Sequence, residues 1–176
     1  METIVVGVAD CKVSANPDSR LVTYALGSCI AVAIHDPVAR VAGLLHFMLP
    51  ESNGDPDKGA NAPYRYADSG TPLLFREAYR HGAEKKRLVV KLVGGAAVFD
   101  DRGIFNIGKR NLAAVKKILW KAGVMVQAED VGGNQSRTVR MDVDTGRLVI
   151  NGPGEREKEL VSQNIMQGAS LCQVGY

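Results

Sequence analysis

Two apolar runs rich in β-branched residues, 30–35 and 41–49, flank the segment Asp36-Pro37-Val38-Ala39-Arg40. Turn-forming residues open that segment, so the pattern predicts a β-hairpin. Further strand-like runs cover residues 3–8, 21–26, 88–93, 124–129, 137–143 and 147–150, and Asp144-Thr145-Gly146 joins the last two as a tight turn. Helical periodicity covers residues 72–81, 109–122 and 155–167. In the second of these, Leu112, Val115, Ile118 and Leu119 make one apolar stripe that stops at Gly123. The third reads as a polar amphipathic helix at the surface. Strands outnumber helices and hairpins recur, so the expected fold is α/β (α+β) with mostly antiparallel or mixed sheets.

Composition narrows the class of protein. A chain of 176 residues predicts one domain, large enough to bury roughly 70% of its unfolded surface. Hydrophobic content of 45% and charged content of 23% are those of an ordinary globular protein. The net charge of +3 comes from interspersed basic and acidic residues, which argues against nucleic acid as the main partner. No apolar run approaches the ~20 residues of a membrane span, and the N-terminus lacks a signal-peptide pattern. A cytoplasmic protein without direct membrane insertion is expected. Three cysteines form no CxxC and no Cys/His metal spacing, so reduced thiols and no zinc site are expected.

One constellation can do covalent chemistry. Cys29 lies in LGSCI and His46 in LLHFMLP, on runs that read as adjacent antiparallel strands. If Ile34 faces Val41, Cys29 faces His46, and opposed Cβ atoms lie about 4.5–5.5 Å apart. A slip of one residue would turn the two side chains to opposite faces. His35 shares the parity of Cys29 but sits about 20 Å further along the strand. His81 ends an amphipathic stretch and reads as a solvated dipole partner. Cys11 and Cys172, among polar residues, read as passive thiols. Gly27-Ser28 breaks the strand-like run 21–26 just before Cys29, and such a break exposes backbone N–H groups of the kind an oxyanion hole requires. Thr23 in that run has a hydroxyl that could fix the tautomer of His46. Strand propensity alone also accounts for a threonine there.

These motifs carry a resemblance. VTYALGSCIAVAIHDPVARVAGLLHFMLP, KLVGGAAVFDDRGIFNIGKRN and AEDVGGNQSRTVRMDVDTGRLVI occur in that order, and together they resemble the CheD family, the chemoreceptor glutamine deamidases. The resemblance covers most of residues 1–151 and implies a deamidase domain over 1–152 of stacked sheets flanked by helices. Residues 153–176 are expected to be a helical extension rather than a separate domain. The family's cysteine, histidine and threonine motifs fall on Cys29, His46 and Thr23. The implied activity is hydrolysis of selected glutamine amides in the cytoplasmic domains of methyl-accepting chemoreceptors, without a cofactor. Imidazolium and backbone dipoles are expected to stabilise the Cys29 thiolate, and ~2.7 kcal/mol would lower its pKa by about two units. Backbone groups near Gly27 and Ser28 would hold the oxyanion. A modest basic excess suits docking onto an acidic receptor bundle.

The family also implies a second class of function, regulatory binding to a CheC-type phosphatase. A peptidase or transglutaminase would share the same acyl-thioester chemistry. Two loops bear on partners. Residues 51–70 are rich in Asn, Gly, Asp and Pro, and a loop longer than ~12–15 residues reads either as substrate cover or as a segment that orders on binding. Residues 94–108 carry Phe99 and Phe105, which read equally as core anchors or as partner-binding residues. Neither GxGxxG nor a Walker A pattern is present there.

Overall fold

The computed structural model describes residues 1–52, 61–98 and 106–162. Two five-stranded sheets carry the fold. The outer sheet has the order β1-β3-β8-β9-β10 and the central sheet β2-β5-β4-β6-β7. The strands are β1 (Glu2–Val5), β2 (Asp10–Ser14), β3 (Ser19–Leu26), β4 (Ile30–Asp36), β5 (Val41–Phe47), β6 (Val89–Gly94), β7 (Ala128–Val131), β8 (Arg137–Asp142), β9 (Leu148–Asn151) and β10 (Lys158–Glu159). Among the described residues the α-helices are α1 (Ala67–Arg80) and α2 (Ile107–Lys121). Both sheets are mixed: β1–β3 and β6–β7 pair in parallel, the rest antiparallel.

Strand parity builds the layers. Along β4, Ile30, Val32 and Ile34 join the cluster that contains Leu74 and Phe75 of α1 and Val115 and Leu119 of α2. Ala31 and Ala33 point the other way and pack with Leu21, Val139, Met141 and Leu148 of the outer sheet. On β5, Leu45 and Phe47 face the helices, while Ala42 and Leu44 face the outer sheet. The central sheet is thus covered on both faces, and every residue of β4 and β5 is buried. Two-sided burial is why these strands read as continuous apolar runs rather than as alternating ones. The small alanines toward the outer sheet let the two sheets approach closely.

Several expectations are corrected. Asp36, rather than Ile34, pairs with Val41, so β4 runs on through His35 and Asp36 into a four-residue connection. The Asp36 carboxylate sets this turn. It accepts from Val38 N at 2.9 Å and Ala39 N at 3.1 Å, and also binds Arg87 and the Glu84 N–H. Burial works against its charge, yet the Arg87 guanidinium and these N–H groups hold the carboxyl well below the usual range. The edge strand β2 carries Asp10, Cys11 and Lys12 and lacks the apolar alternation that marks a strand. Helix α1 begins five residues before Pro72, which lies inside it.

The C-terminal helix expected over 155–167 is not formed in its described part. Residues 158–159 instead pair with β9. Leu160 N donates to Leu148 O at 2.9 Å, and the Lys91 Nζ donates to Leu160 O at 2.8 Å. The edge of β9 supplies backbone partners to this segment, which a solvated helix would leave unused. No helix among the described residues is long and apolar enough to cross a membrane.

Candidate active site

Thr23 and His46 meet between the two sheets. Leu21, Thr23 and Leu26 are all buried, although simple alternation would put Leu26 on the face opposite Thr23. A bulge resolves the conflict. Thr23 pairs with Val139 and Leu26 with Arg137, so β3 holds one extra residue, and Ala25 takes a left-handed φ of 53°. His46, on the outer-sheet face of β5, puts its Nδ1 2.8 Å from Thr23 Oγ1. Both residues are nearly inaccessible, at 0% and 1% exposure. The other ring nitrogen, Nε2, is buried and has no hydrogen-bond partner among the described residues. A buried, unpaired polar atom costs about 1–3 kcal/mol, and in a native fold it asks for an explanation.

Cys29 stands at the same end of this face but not opposite His46. The residue paired with His46 is Ala31. The expected register was off by two residues because the hairpin connection is shorter than the sequence suggested. A slip of two keeps parity, and half-buried Cys29 still packs against the inter-sheet cluster. Its thiol makes no hydrogen bond to the imidazole, since Nε2 is unpartnered.

The loop that carries Cys29 is held by its carbonyls. Gly27 O accepts from Ala96 N at 2.8 Å, Ser28 O from Asn111 Nδ2 at 2.9 Å, and Cys29 O from Gly95 N at 2.8 Å. Close packing of backbone makes this possible. A Cβ on Gly94, whose φ is +115°, would sit 2.3 Å from Cys29 O, and one on Gly108 would sit 2.4 Å from Gly95 O. The Gly94-Gly95 pair therefore lets the end of β6 and the start of α2 lie directly under the cysteine loop. A cleft of about 260 Å³ opens beside it, lined by Ser28, Ala97, Val98, Lys109 and Gly133 among others.

The titration of the pair differs from the expected thiolate–imidazolium state. Burial pushes the Cys29 thiol up, with its own backbone N–H pulling it back in part. Burial alone pushes His46 down to about 4. At neutral pH both groups are uncharged, because the site is desolvated and none of the shifts on either group comes from a neighbouring charge. Cys11 is a contrasting case: burial first, then the Asp10 carboxylate, pushes its thiol up to about 12.

The remaining histidines are occupied elsewhere. His35 Nε2 donates to Val143 O at 3.0 Å, and His81 Nδ1 donates to Glu77 O at 2.9 Å. Phe99, Phe105 and Cys172 lie outside the described residues, as do residues 53–60 of the expected 51–70 loop, whose last four residues, 67–70, belong to α1 instead. Reading the sequence missed Asn111. It falls on the buried face of α2 with Gly108, Ala114 and Val115, and a polar residue on that stripe was the available signal.

The site so described, a half-buried thiol packed on the same face that carries a buried imidazole hydrogen-bonded to a threonine hydroxyl, has the residue types of a thiol-dependent acyl-transfer centre. The family profile described as CheD chemotactic sensory transduction matches residues 48–152. A probable chemoreceptor glutamine deamidase CheD of Solibacter usitatus is 48% identical over 97% of this chain and all of its own length. The chemoreceptor glutamine deamidase CheD of Thermotoga maritima is 43% identical over 88% of this chain and 94% of its own. The chain belongs to the CheD family. The profile match begins just beyond His46, whereas the relatives' alignments are long enough to take in the whole site.

Proposed function

We propose that this protein is a chemoreceptor glutamine deamidase, a hydrolase of protein side-chain amides, with Cys29 as nucleophile, His46 as base and acid, and Thr23 as the group that orients His46. The observation that carries this reading is the buried Nε2 of His46, which has no partner among the described residues and whose opposite nitrogen is tied to Thr23. With Nδ1–H donating to Thr23 Oγ1, Nε2 keeps its lone pair and can take a proton. Similarity to relatives named as deamidases supports the substrate class.

The chemistry starts from a neutral pair. As Cys29 Sγ attacks the glutamine δ-carbonyl carbon, its proton passes to His46 Nε2. The carbonyl oxygen becomes an oxyanion that accepts from backbone N–H groups at Ser28 and Cys29. His46 then gives its proton to the amide nitrogen, the C–N bond breaks, and ammonia leaves behind a thioester. Water attacks that thioester, with His46 taking its proton and returning one to the departing thiol. The product is glutamate. Cytoplasmic receptor domains are the partners this reading requires, and the cleft beside Ser28 is a suitable seat for an extended amide side chain. A docking role toward a CheC-type phosphatase is compatible with the same chemistry. Cys29→Ala separates the two, since it removes hydrolysis and leaves binding.

Limited iodoacetamide labelling with peptide mapping tests the assignment. Cys29 should be modified first, and deamidation should stop with it, while ammonia release is accompanied by neither chain cleavage nor cross-linking. Loss of activity through Cys11 or Cys172, with Cys29 untouched, would overturn it.

A further inference from the structure

The side chain of Asn111 ties helix α2 to the candidate site. Asn111 is 0% exposed, and its Nδ2 donates to two main-chain carbonyls, Ser28 O at 2.9 Å and Met48 O at 2.8 Å. Two carbonyl acceptors fix the amide orientation, because only the NH₂ end can serve both. Its Oδ1 is buried with no partner among the described residues. The two carbonyls belong to the two segments that the chemistry needs. Ser28 precedes the cysteine, and Met48 directly follows β5, the strand of His46.

The Ser28 carbonyl matters for what lies across its peptide. No peptide bond among the described residues is cis, and in a trans peptide the C=O and the next N–H point in opposite directions. A Ser28 carbonyl turned inward onto Asn111 therefore turns the Cys29 N–H outward. That N–H also favours the thiolate of its own side chain, partly offsetting the effect of burial. The carbonyls on either side are held by backbone N–H groups of Ala96 and Gly95. The Ser28–Cys29 peptide is the one held by a side chain.

We propose that Asn111 is a positioning residue of the reaction: it orients the Ser28–Cys29 peptide so that the Cys29 N–H faces the developing oxyanion, and it ties this peptide to the end of the His46 strand. The inference rests on the reading of Cys29 and His46 as the reacting pair. Asn111 itself touches neither the substrate nor the thiol.

The test compares Asn111→Leu, close in shape but without donors, with wild type and Cys29→Ala on a chemoreceptor cytoplasmic domain. Near-ultraviolet circular dichroism and urea midpoints establish the folded fraction. Per folded molecule, kcat should fall about 10–100-fold, short of the full loss of an oxyanion donor, with KM within about twofold. The alkylation profile of Cys29 should also move to higher pH, because the N–H that favours the thiolate has turned away. Asn111→Ser, which can serve only one carbonyl, should fall between wild type and leucine, and it decides the matter if the leucine variant does not fold. Wild-type kcat in a folded variant, or a loss confined to KM with an unmoved alkylation profile, would overturn the proposal. Activity retained by Cys29→Ala would instead overturn the reading beneath it.

Discussion

Thr23 meets His46 through a single oxygen, so its role can be separated from its shape. Thr23→Val keeps the β-branch and removes the hydroxyl, whereas Thr23→Ser keeps the oxygen and loses a methyl. The valine variant is expected to slow deamidation about 10–100-fold, on the scale of ~1.4–2.7 kcal/mol, with the serine variant nearer wild type. Full activity of a folded valine variant would leave Thr23 a strand residue only. His46 makes a second prediction, for stability. Its folded pKa of about 4 lies below the ordinary 6.5, so between those values the unfolded chain binds the proton and the folded one does not. Its contribution is fully present above pH ~6.5 and is lost as the pH falls toward 4, on the order of 3 kcal/mol in all. His35, also pushed down by burial, acts in the same direction. Urea midpoints at pH 7 and pH 4.5 should therefore drop more for wild type than for His46→Asn, which cannot titrate. Equal drops would contradict a neutral buried imidazole.

At the scale of elements, the site depends on where backbone segments approach one another. Gly94 is the tightest of these positions, with a φ of +115° and Cys29 O 2.3 Å from its absent Cβ. Gly94→Ala is expected to cost ~1–3 kcal/mol from the backbone conformation alone and to displace the cysteine loop. Activity per folded molecule should fall more than tenfold, and an unchanged kcat would show that the loop tolerates the shift. Such positions also mark the limit of what the sequence discloses. The β4–β5 hairpin is legible because two-sided burial writes long apolar runs. Its register is not, because the turn is set by Asp36, whose partners Arg87 and Glu84 are distant in sequence. The Thr23 bulge leaves no mark either, since Tyr24 and Ala25 are unremarkable in a strand. Cys29, His46 and Thr23 are singled out as candidates by motif, but the hydrogen bond of Asn111 to the cysteine loop becomes visible only when α2 is packed under it.

Across the whole molecule, the central sheet is clamped between helices and the outer sheet, and the segment after Gly152 extends the outer sheet by β10. Among the described residues, the Lys91 ammonium, which burial pushes toward its neutral form, has the Leu160 carbonyl as its hydrogen-bond partner. Truncation after Gly152 should thus lower Tm by a few degrees, about 2–4 °C for each kcal/mol in a domain of this size, while deamidation at 25 °C persists. An unchanged Tm would make β10 ornamental. Mass spectrometry of a chemoreceptor cytoplasmic domain co-expressed with the protein measures the proposed reaction directly. Wild type should add about one dalton per modified glutamine, the signature of amide hydrolysis through an acyl intermediate, and Cys29→Ala should add none. No mass gain with wild type, or the same gain with Cys29→Ala, would contradict it.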